Sequence, residues 1–171
     1  MFACLPPNVA NLTCILCGET HVDPMAWACP ACGEKSRMDV VYRPPPADVL
    51  SRFASRPFDQ FRYRELLPLP EVARLPPIQV GGSPLSAAPR LADWLGTRAA
   101  FVKDDGRNPS ASLKDRPSAV AVVLAAAAGA DRVVCASTGN AASSLACLAA
   151  SMNLPSTIFV PKRAPAPKLA Q

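Results

Sequence analysis

Two pairs of cysteines near the start of the chain place the strongest constraint on what it can fold into. Cys14 and Cys17 form one C-x-x-C pair, and Cys29 and Cys32 form a second, with eleven residues between the pairs. A glycine follows each pair, and glycine relieves the backbone of the tight turn that brings two thiolates together. Four thiolates at this spacing predict a closed, tetrahedral zinc site with a structural role.

The other thiols and the single histidine follow no clear ligand pattern. Cys4, Cys135 and Cys147 are interpreted as small apolar residues. His21 lies between the two cysteine pairs and could replace a cysteine as a ligand, although a solvated loop histidine is the preferred interpretation. The zinc prediction therefore depends on the four paired cysteines alone.

Composition and charge are typical of a globular cytoplasmic protein. Half of the 171 residues are hydrophobic, and 18 Lys+Arg against 13 Asp+Glu leave a formal charge of +5. This surplus suits anionic substrates or weak nucleic-acid binding, but it most often only aids solubility. The chain starts without the features of a secretory signal, and its longest apolar run, residues 119–130, is too short to cross a bilayer. We therefore expect a cytoplasmic location, no membrane partner and no disulfides.

The chain divides into three predicted zones. Residues 1–43 form a zinc-ribbon-like module, residues 44–84 form a connector rich in proline and arginine, and residues 85–171 alternate between strands and helices. Proline removes an amide donor and clashes with the preceding helical turn, so long helices are excluded from the connector. We expect it to be extended, with a short helix around residues 48–55.

The third zone predicts an α/β fold built from parallel βαβ units. Strands are predicted at 99–103, 132–136 and 156–160, and helices at 88–96, 115–129 and 141–152. This alternation is typical of a parallel sheet with right-handed crossovers. Ligands of such sheets bind beyond the carboxyl ends of the strands. The loop before residue 114 and the turn at 137–140 are therefore expected at the same edge of the sheet.

The most specific motif is the polar run K-D-D-G-R-N-P-S-A-S-L-K-D-R at residues 103–116. It places Lys114 at the start of a predicted helix, which holds this lysine at a fixed point of the backbone. Asp115 and Arg116 begin that helix and are expected to cap it or to pair locally. A lone K-D-R would indicate only an ordinary exposed lysine, so the chemical role depends on the flanking loop and on the next motif.

That next motif, at residues 137–140, ends a predicted strand and opens a helix. Its residues are Ser137, Thr138, Gly139 and Asn140. Free amides at a helix N-terminus, with a glycine that permits close approach, suit a carboxylate or a phosphate. The motif alone is weak because asparagine is a common helix cap. After a matching lysine loop it is a stronger indication of a binding site.

Together the two motifs resemble the fold-type II pyridoxal-phosphate enzymes, and among them the threonine synthases in particular. The resemblance rests on S-x-K-D-R around Lys114, on K-D-x-G-R-N-P ahead of it and on G-G-S-P-L at residues 81–85, and it covers nearly the whole chain. It implies that Lys114 binds pyridoxal 5'-phosphate and serves as general base, and that Asn140 contacts the cofactor ring. It also implies a substrate-carboxylate site formed by Ser137, Thr138 and Gly139.

The implied reaction converts O-phosphohomoserine and water to threonine and phosphate. Its small-molecule substrate is a phosphorylated amino acid, and Lys103, Arg107 and Ser110 are candidates to bind the phosphate. Cysteate synthase, a serine/threonine dehydratase and a cysteine synthase are alternatives of the same fold. The zinc module and the G-R-N-P loop favour threonine or cysteate synthase. A non-catalytic zinc ribbon that binds nucleic acid is the alternative from another class, and it is disfavoured because residues 14–32 contain no Lys or Arg.

Three positions depart from the family pattern, and one family motif has no counterpart. Ser83 stands where threonine is usual, Leu113 replaces an aromatic residue or asparagine, and Pro117 replaces a small residue. Proline is tolerated in a first helical turn, so we expect the helix to form. The sequence contains no glycine-rich loop for the cofactor phosphate. From this we expect a truncated chain that binds the cofactor poorly and is inactive alone. The full-length enzyme is expected to be a homodimer.

Overall fold

Short strands and helices alternate along the chain, which a computed structural model describes over residues 4–24 and 26–170. Residues 1–3, Met25 and Gln171, which belong to the predicted zones, lie outside the described residues. Among those described, no helix has the length and apolar character to cross a bilayer. The strands and α-helices are β1 Val9–Cys14, β2 Thr20–His21, β3 Met38–Tyr42, α1 Val49–Ser55, β4 Leu85–Ala87, α2 Pro89–Leu95, β5 Phe101–Lys103, α3 Asp115–Ala127, β6 Val133–Ala136, α4 Asn140–Ser151, β7 Ser156–Phe159 and α5 Ala166–Ala170.

The N-terminal zone folds as a three-stranded antiparallel sheet in the order β2-β1-β3. Leu12 of β1 lies opposite His21 on one side and Val40 on the other. Leu12 and Cys14, two residues apart, are buried, in keeping with a strand that has one face against a small core. Val9, which lies before a register shift in β1, is also buried. The sheet brings the ends of β1 and β2 close to the two cysteine pairs.

The proline-rich zone contains the predicted short helix and also contributes to the core. α1 confirms the helix expected around residues 48–55. A 3₁₀-helix follows at Gln60–Leu66, and Phe61, Leu69 and Val80 pack into the main hydrophobic cluster. The zone also contacts the N-terminal zone, because the side chain of Asn8, just before β1, donates to the Leu67 carbonyl at 2.7 Å. The proline-rich zone is therefore part of the packed structure and not only an extended connector.

The main core lies between α3 and α4, two helices made largely of alanine and other small residues. Val122, Val123 and Leu148 are fully buried there, each with a burial free energy of about 1.5–3 kcal/mol. Small side chains allow the two helix backbones to approach closely. Left-handed glycines follow α2 and α3, at Gly96 (φ 64°) and Gly129 (φ 74°), as the sequence predicts for helix ends.

The sheet in the C-terminal zone is smaller than predicted. β6 and β7 pair in parallel across the α4 crossover, which confirms one βαβ unit. The prediction that residues 99–103 join the same sheet is wrong, because β5 pairs antiparallel with β4. The seven-residue α2 connects these two strands, so that β5 runs back beside β4. Next to this pair, the Ala88 amide donates to the Ala100 carbonyl at 2.9 Å. The two polar loops therefore do not follow strands of one sheet, and the prediction that they share a sheet edge is wrong.

Candidate functional site

The four cysteines predicted to bind zinc lie together in space. The sulfur atoms of Cys14, Cys17, Cys29 and Cys32 are all within 4.8 Å of one another. The Cys17 and Cys29 sulfurs are 3.8 Å apart, far too long for a disulfide bond. A tetrahedron with metal–sulfur bonds of ~2.3 Å has sulfur–sulfur edges of about 3.8 Å. The described residues therefore fit one tetrahedral ion with four thiolate ligands.

The backbone turns behind the sulfurs explain the two glycines. Gly18 and Gly33 have φ values of 76° and 69°, in the left-handed region that favours glycine. Their amides donate to the carbonyls of Cys14 and Cys29 at 3.0 and 2.8 Å, which closes each turn. The Leu16 amide also approaches the Cys14 sulfur at 3.4 Å. Each turn thus points backbone donors at a sulfur atom.

The crowded sulfurs do not share the same protonation behaviour. A hydrogen bond from the Cys17 backbone amide lowers the pKa of the Cys14 thiol to about 7. A side-chain hydrogen bond with Cys17, together with burial, raises the pKa of the Cys32 thiol to about 12. Burial likewise raises the pKa of Cys29. Four thiolates this close repel one another, and a bound dication would remove that repulsion.

Two groups beside the sulfur cluster were missed or misinterpreted at the level of sequence. Ser36 is fully buried; its hydroxyl accepts from the Cys29 amide and donates to the Gly33 carbonyl, both at 2.7 Å. Nothing in the spacing of Ser36 marks it. His21 was expected in a solvated loop, which is wrong: it lies on β2 with a side chain only 16% exposed. Cys4, interpreted as a small apolar residue, is exposed.

Lys114 immediately precedes α3 and is exposed. Its backbone amide donates to the Ser112 hydroxyl at 3.1 Å, whereas its side-chain amine makes no hydrogen bond or ion pair within the described part of the chain. Ala111, three residues earlier, has a φ of 55°, a left-handed conformation that costs a non-glycine residue about 1–2 kcal/mol. The lysine loop therefore combines a strained backbone with an unengaged amine.

The residue after Lys114 is anchored below the loop. Asp115 is fully buried, and its carboxylate accepts from the Ser110 amide at 2.7 Å and from the Ser110 hydroxyl at 2.5 Å. This confirms the expectation that Asp115 pairs locally. Burial, with Asp115 nearby, raises the pKa of the Cys147 thiol on α4. The lysine-bearing end of α3 therefore lies near Cys147, in the second half of α4.

Arg116 is anchored by a carboxylate to which no sequence motif assigns a role. Its guanidinium donates to both oxygens of Asp105 at 2.8 and 2.7 Å, and the Ser83 hydroxyl donates to the same carboxylate at 2.5 Å. The Arg116 guanidinium holds the pKa of Asp105 well below its usual range. Lys103 in turn donates to the Ser83 carbonyl. The only sequence signal for this cluster is the second aspartate of the K-D-D-G-R run.

Asp105→Asn is expected to lower the free energy of unfolding by about 2 kcal/mol at pH 7, because two charged hydrogen bonds are lost. A carboxyl with a lowered native pKa stabilises the fold above its unfolded pKa of about 4, and this contribution disappears as pH falls. Urea unfolding at pH 7 and pH 3 should show a steeper pH dependence for the wild type than for the variant. Asp131→Asn, at an exposed aspartate, is the control. Equal losses in the two variants would contradict the prediction.

The second motif forms the turn between β6 and α4. The Ser137 amide donates to the Phe159 carbonyl at 3.2 Å, and the Gly139 amide donates to the Ser137 hydroxyl at 3.2 Å. Gly139 precedes α4 without a side-chain cap, so the first amides of this helix lack an intrahelical acceptor. A Cβ at Gly139 would meet no atom within 4 Å, and Asn140 is exposed. The turn therefore leaves open space in front of unpaired donors.

The candidates for the substrate phosphate are not equally free. Lys103 and Ser110 already donate within the fold, to Ser83 and Asp115 respectively. Arg107 is exposed, and its Nε lies 3.4 Å from the Asp104 carboxylate. Of the three, Arg107 has the most donors available.

These residues fit the cofactor that the sequence motifs imply. An aldehyde requires a free amine, and Lys114 provides one on a backbone that is anchored by Asp115 and Arg116. Anionic or carbonyl oxygens require donors, and the N-terminus of α4 provides uncapped amides. The two features lie on helices that pack against each other.

Comparison with known proteins agrees with these features. The family model described as "Pyridoxal-phosphate dependent enzyme" matches residues 77–171. The chain is 35% identical over 154 residues to a threonine synthase of Methanosarcina acetivorans, covering 88% of this chain and 37% of that protein. It is 34% identical over 153 residues to a threonine synthase of Methanocaldococcus jannaschii, covering 87% and 37%.

A third relative, a threonine synthase of Mycobacterium leprae, is 39% identical over 100 residues, or 58% of this chain and 28% of that protein. The chain thus spans well under half the length of the curated relatives that it matches. The two archaeal alignments extend beyond the region matched by the family model, so the similarity reaches into the residues before 77. Because the family model covers more than half of the sequence, the chain belongs to the pyridoxal-phosphate dependent enzymes.

Proposed function

We propose that this chain forms the lysine-bearing part of a threonine synthase-like enzyme, which converts O-phosphohomoserine and water to threonine and phosphate. The observation that carries the proposal is the geometry of Lys114. Its amine is unengaged, while Asp115 and Arg116, the two residues that follow it, are anchored by carboxylate hydrogen bonds. The similar proteins are named threonine synthases, which favours threonine as the product over the products of other enzymes with the same fold.

Bound pyridoxal 5'-phosphate would supply an electron sink that stabilises negative charge at the substrate's α carbon. Lys114 has two roles in this scheme. Its amine attaches the cofactor, and it then removes and returns a proton at the substrate's α carbon. Anchoring Asp115 and Arg116 limits the positions that the amine can reach, so that proton transfer begins from a fixed point.

The turn at 137–140 would bind the other ionic groups. The unpaired amides at the start of α4 suit the substrate carboxylate, with Ser137, Thr138 and Gly139 forming the walls. Asn140, exposed at the first helical position, is assigned to the polar edge of the cofactor ring. Arg107 is assigned to the substrate phosphate because its donors are the most available.

The four-cysteine cluster is proposed to bind one structural zinc ion. All four positions of a tetrahedron are filled by protein sulfurs, so no position is open for a substrate or a reactive water. The role of this ion is to fold the N-terminal sheet, and the chemistry belongs to the lysine loop.

Reductive trapping tests the role of Lys114. The chain is incubated with pyridoxal 5'-phosphate, reduced with borohydride, digested, and analysed by peptide mass spectrometry. We expect the phosphopyridoxyl group predominantly on Lys114, because its amine is free and positioned, with labelling at least tenfold above that of Lys103, whose amine is engaged. Lys114→Ala should abolish this labelling, and Lys162→Ala, at another exposed lysine, should leave it unchanged. Label spread evenly over the exposed lysines would overturn the assignment.

A substrate assay separates threonine synthase from its nearest alternative. Phosphate release and product formation are measured on the full-length enzyme with O-phosphohomoserine, and separately with O-phosphoserine and sulfite. Threonine formed from the first substrate supports the proposal. Cysteate formed from the second, with none from the first, would replace it by a cysteate synthase assignment.

A further inference from the structure

One ring nitrogen beside the sulfur cluster has no partner. The Nε2 atom of His21 is buried and makes no hydrogen bond with any described residue. Buried polar atoms are nearly always paired, because an unpaired one forfeits the hydrogen bonds that water would provide. His21 is also placed firmly, since its strand β2 pairs with β1 and His21 lies opposite Leu12. The unpaired nitrogen is therefore a consequence of a well-defined fold.

The imidazole of His21 lies next to a cysteine of the cluster. One ring nitrogen of His21, a carboxylate oxygen of Glu19 and the sulfur of Cys29 are all within 4.8 Å of one another. The Cys29 thiol donates to Glu19 at 3.6 Å, and Glu19 is 3.8 Å from Nε2. Cys29 is almost fully buried, so no solvent molecule competes for its sulfur. The Cys29 sulfur therefore lies near both the His21 imidazole and the Cys17 sulfur, which is 3.8 Å away.

Metal binding changes the hydrogen-bonding role of the Cys29 sulfur. A cysteine binds a metal as the thiolate, so Cys29 loses the proton that it donates to Glu19 and becomes an acceptor. Thiolates bound to metal are stabilised by N–H donors, and groups of this kind orient the ligands. Backbone amides of Ala31 and Cys32 approach the Cys29 sulfur from its own turn. Of the two side chains grouped with this sulfur, His21 carries an N–H donor, whereas Glu19 is an acceptor.

Resting on the metal centre proposed above, we propose that His21 is a positioning residue of that centre, whose Nε2–H donates a hydrogen bond to the metal-bound sulfur of Cys29. The unpaired nitrogen then gains an acceptor, and the buried sulfur gains a donor beyond its own turn. Glu19 lies beside the same nitrogen as a second acceptor and limits rotation of the ring. His21 does not itself bind the metal, since four sulfurs already complete the tetrahedron.

The test uses the whole chain loaded with cobalt(II), whose absorption reports the ligand set, together with competition by a chelator of known affinity. His21→Leu removes the donor and should weaken cobalt binding by about 10–100-fold, with a shift of the sulfur-to-cobalt charge-transfer band. His21→Gln retains an N–H at a similar position and should restore most of the affinity. Thr20→Val, at an exposed position on the same strand, should bind as the wild type does.

A measurement on the unaltered chain covers the case in which His21→Leu does not fold. With cadmium-113 bound, a hydrogen bond from His21 to the Cys29 sulfur should produce a scalar coupling between the metal and the His21 ring proton. Wild-type affinity in His21→Leu, or no coupling in the folded cadmium form, would overturn the proposal. A nitrogen ligand in the wild-type cobalt spectrum that disappears in His21→Leu would also overturn it, by making His21 a ligand.

The experiment separates this inference from the metal centre itself. If the wild-type chain takes up no cobalt, the four-thiolate site is wrong. If it takes up one equivalent with a four-sulfur spectrum and His21→Leu binds equally well, the site stands and only the role of His21 fails.

Discussion

Gly82→Ala is expected to destabilise the folded chain by about 3–5 kcal/mol, a large part of the 5–15 kcal/mol that typically separates folded from unfolded protein. Gly82 has a φ of 65°, and a Cβ built there would lie 2.0 Å from the Phe58 carbonyl oxygen and 2.8 Å from the Gln79 side chain. The Gln79 amide can turn away, but the Phe58 carbonyl belongs to the backbone just before the 3₁₀-helix. Relief of the clash therefore requires movement of the main chain.

Gly96→Ala provides a matched control for that substitution. Gly96 has a φ of 64°, so both variants incur the same backbone strain of about 1–2 kcal/mol, but a Cβ at Gly96 would meet no atom within 4 Å. The difference between the two unfolding free energies isolates the close approach at Gly82. Urea unfolding followed by circular dichroism measures both variants. A difference below about 1 kcal/mol would show that residues 58 and 82 are not packed as described.

Gly82 also connects the packing of the proline-rich zone to the lysine loop. The next residue, Ser83, donates to Asp105, and Asp105 binds Arg116 on α3. The preceding residue, Gly81, donates its amide to Asn108 at 2.9 Å. A main-chain shift at Gly82 is therefore expected to displace the loop that leads to Lys114. This is why a substitution distant in sequence from the lysine should reduce reductive trapping on it as well as stability.

Local chemistry predicted the helices well but not the pairing of strands. Each helix predicted between residues 85 and 153 occurs, because alanine content, capping glycines and the position of Pro117 are properties of neighbouring residues. β4 was not anticipated, because three residues after Pro84 carry no periodic signal. Its pairing with β5 then decides that β5 lies outside the parallel sheet. The strand with which β5 pairs is decided by tertiary contacts, and the local sequence pattern carries no information about them.

In the candidate site, too, some residues were predictable from the sequence and others were not. Chemical type and spacing identified the four cysteines, whose clustering the structure confirms, and predicted Lys114 and the turn at 137–140. The partners of these residues were not predictable, because Asp105, Ser36 and His21 act across gaps in sequence with no periodic relation to what they contact. Proline content likewise predicted an irregular connector, but not that Phe61, Leu69 and Val80 would face the core. Side-chain direction in irregular backbone is set by what packs against it.

The N-terminal sheet is the part of the chain that should depend most on a metal. Its own buried side chains are few, chiefly Val9 and Leu12 with two of the cysteines and Ser36. A core of this size does not offset the conformational entropy of the strands, and small domains of this kind use metals as a substitute. The main core between α3 and α4 has no such dependence, since it is built from fully buried aliphatic side chains.

Removal of zinc is therefore expected to unfold the N-terminal sheet while leaving the main core intact. Hydrogen exchange with mass spectrometry, on the zinc-loaded chain before and after addition of a strong chelator, should show protection lost throughout β1, β2 and β3 and retained in α3 and α4. Cys29→Ser, which removes one buried ligand, should reproduce the loss without chelator, whereas Cys4→Ser, at an exposed cysteine outside the cluster, should keep full zinc content. Unchanged protection of residues 9–42 after chelation, or equal zinc content in the two variants, would show that these four sulfurs are not a structural metal centre.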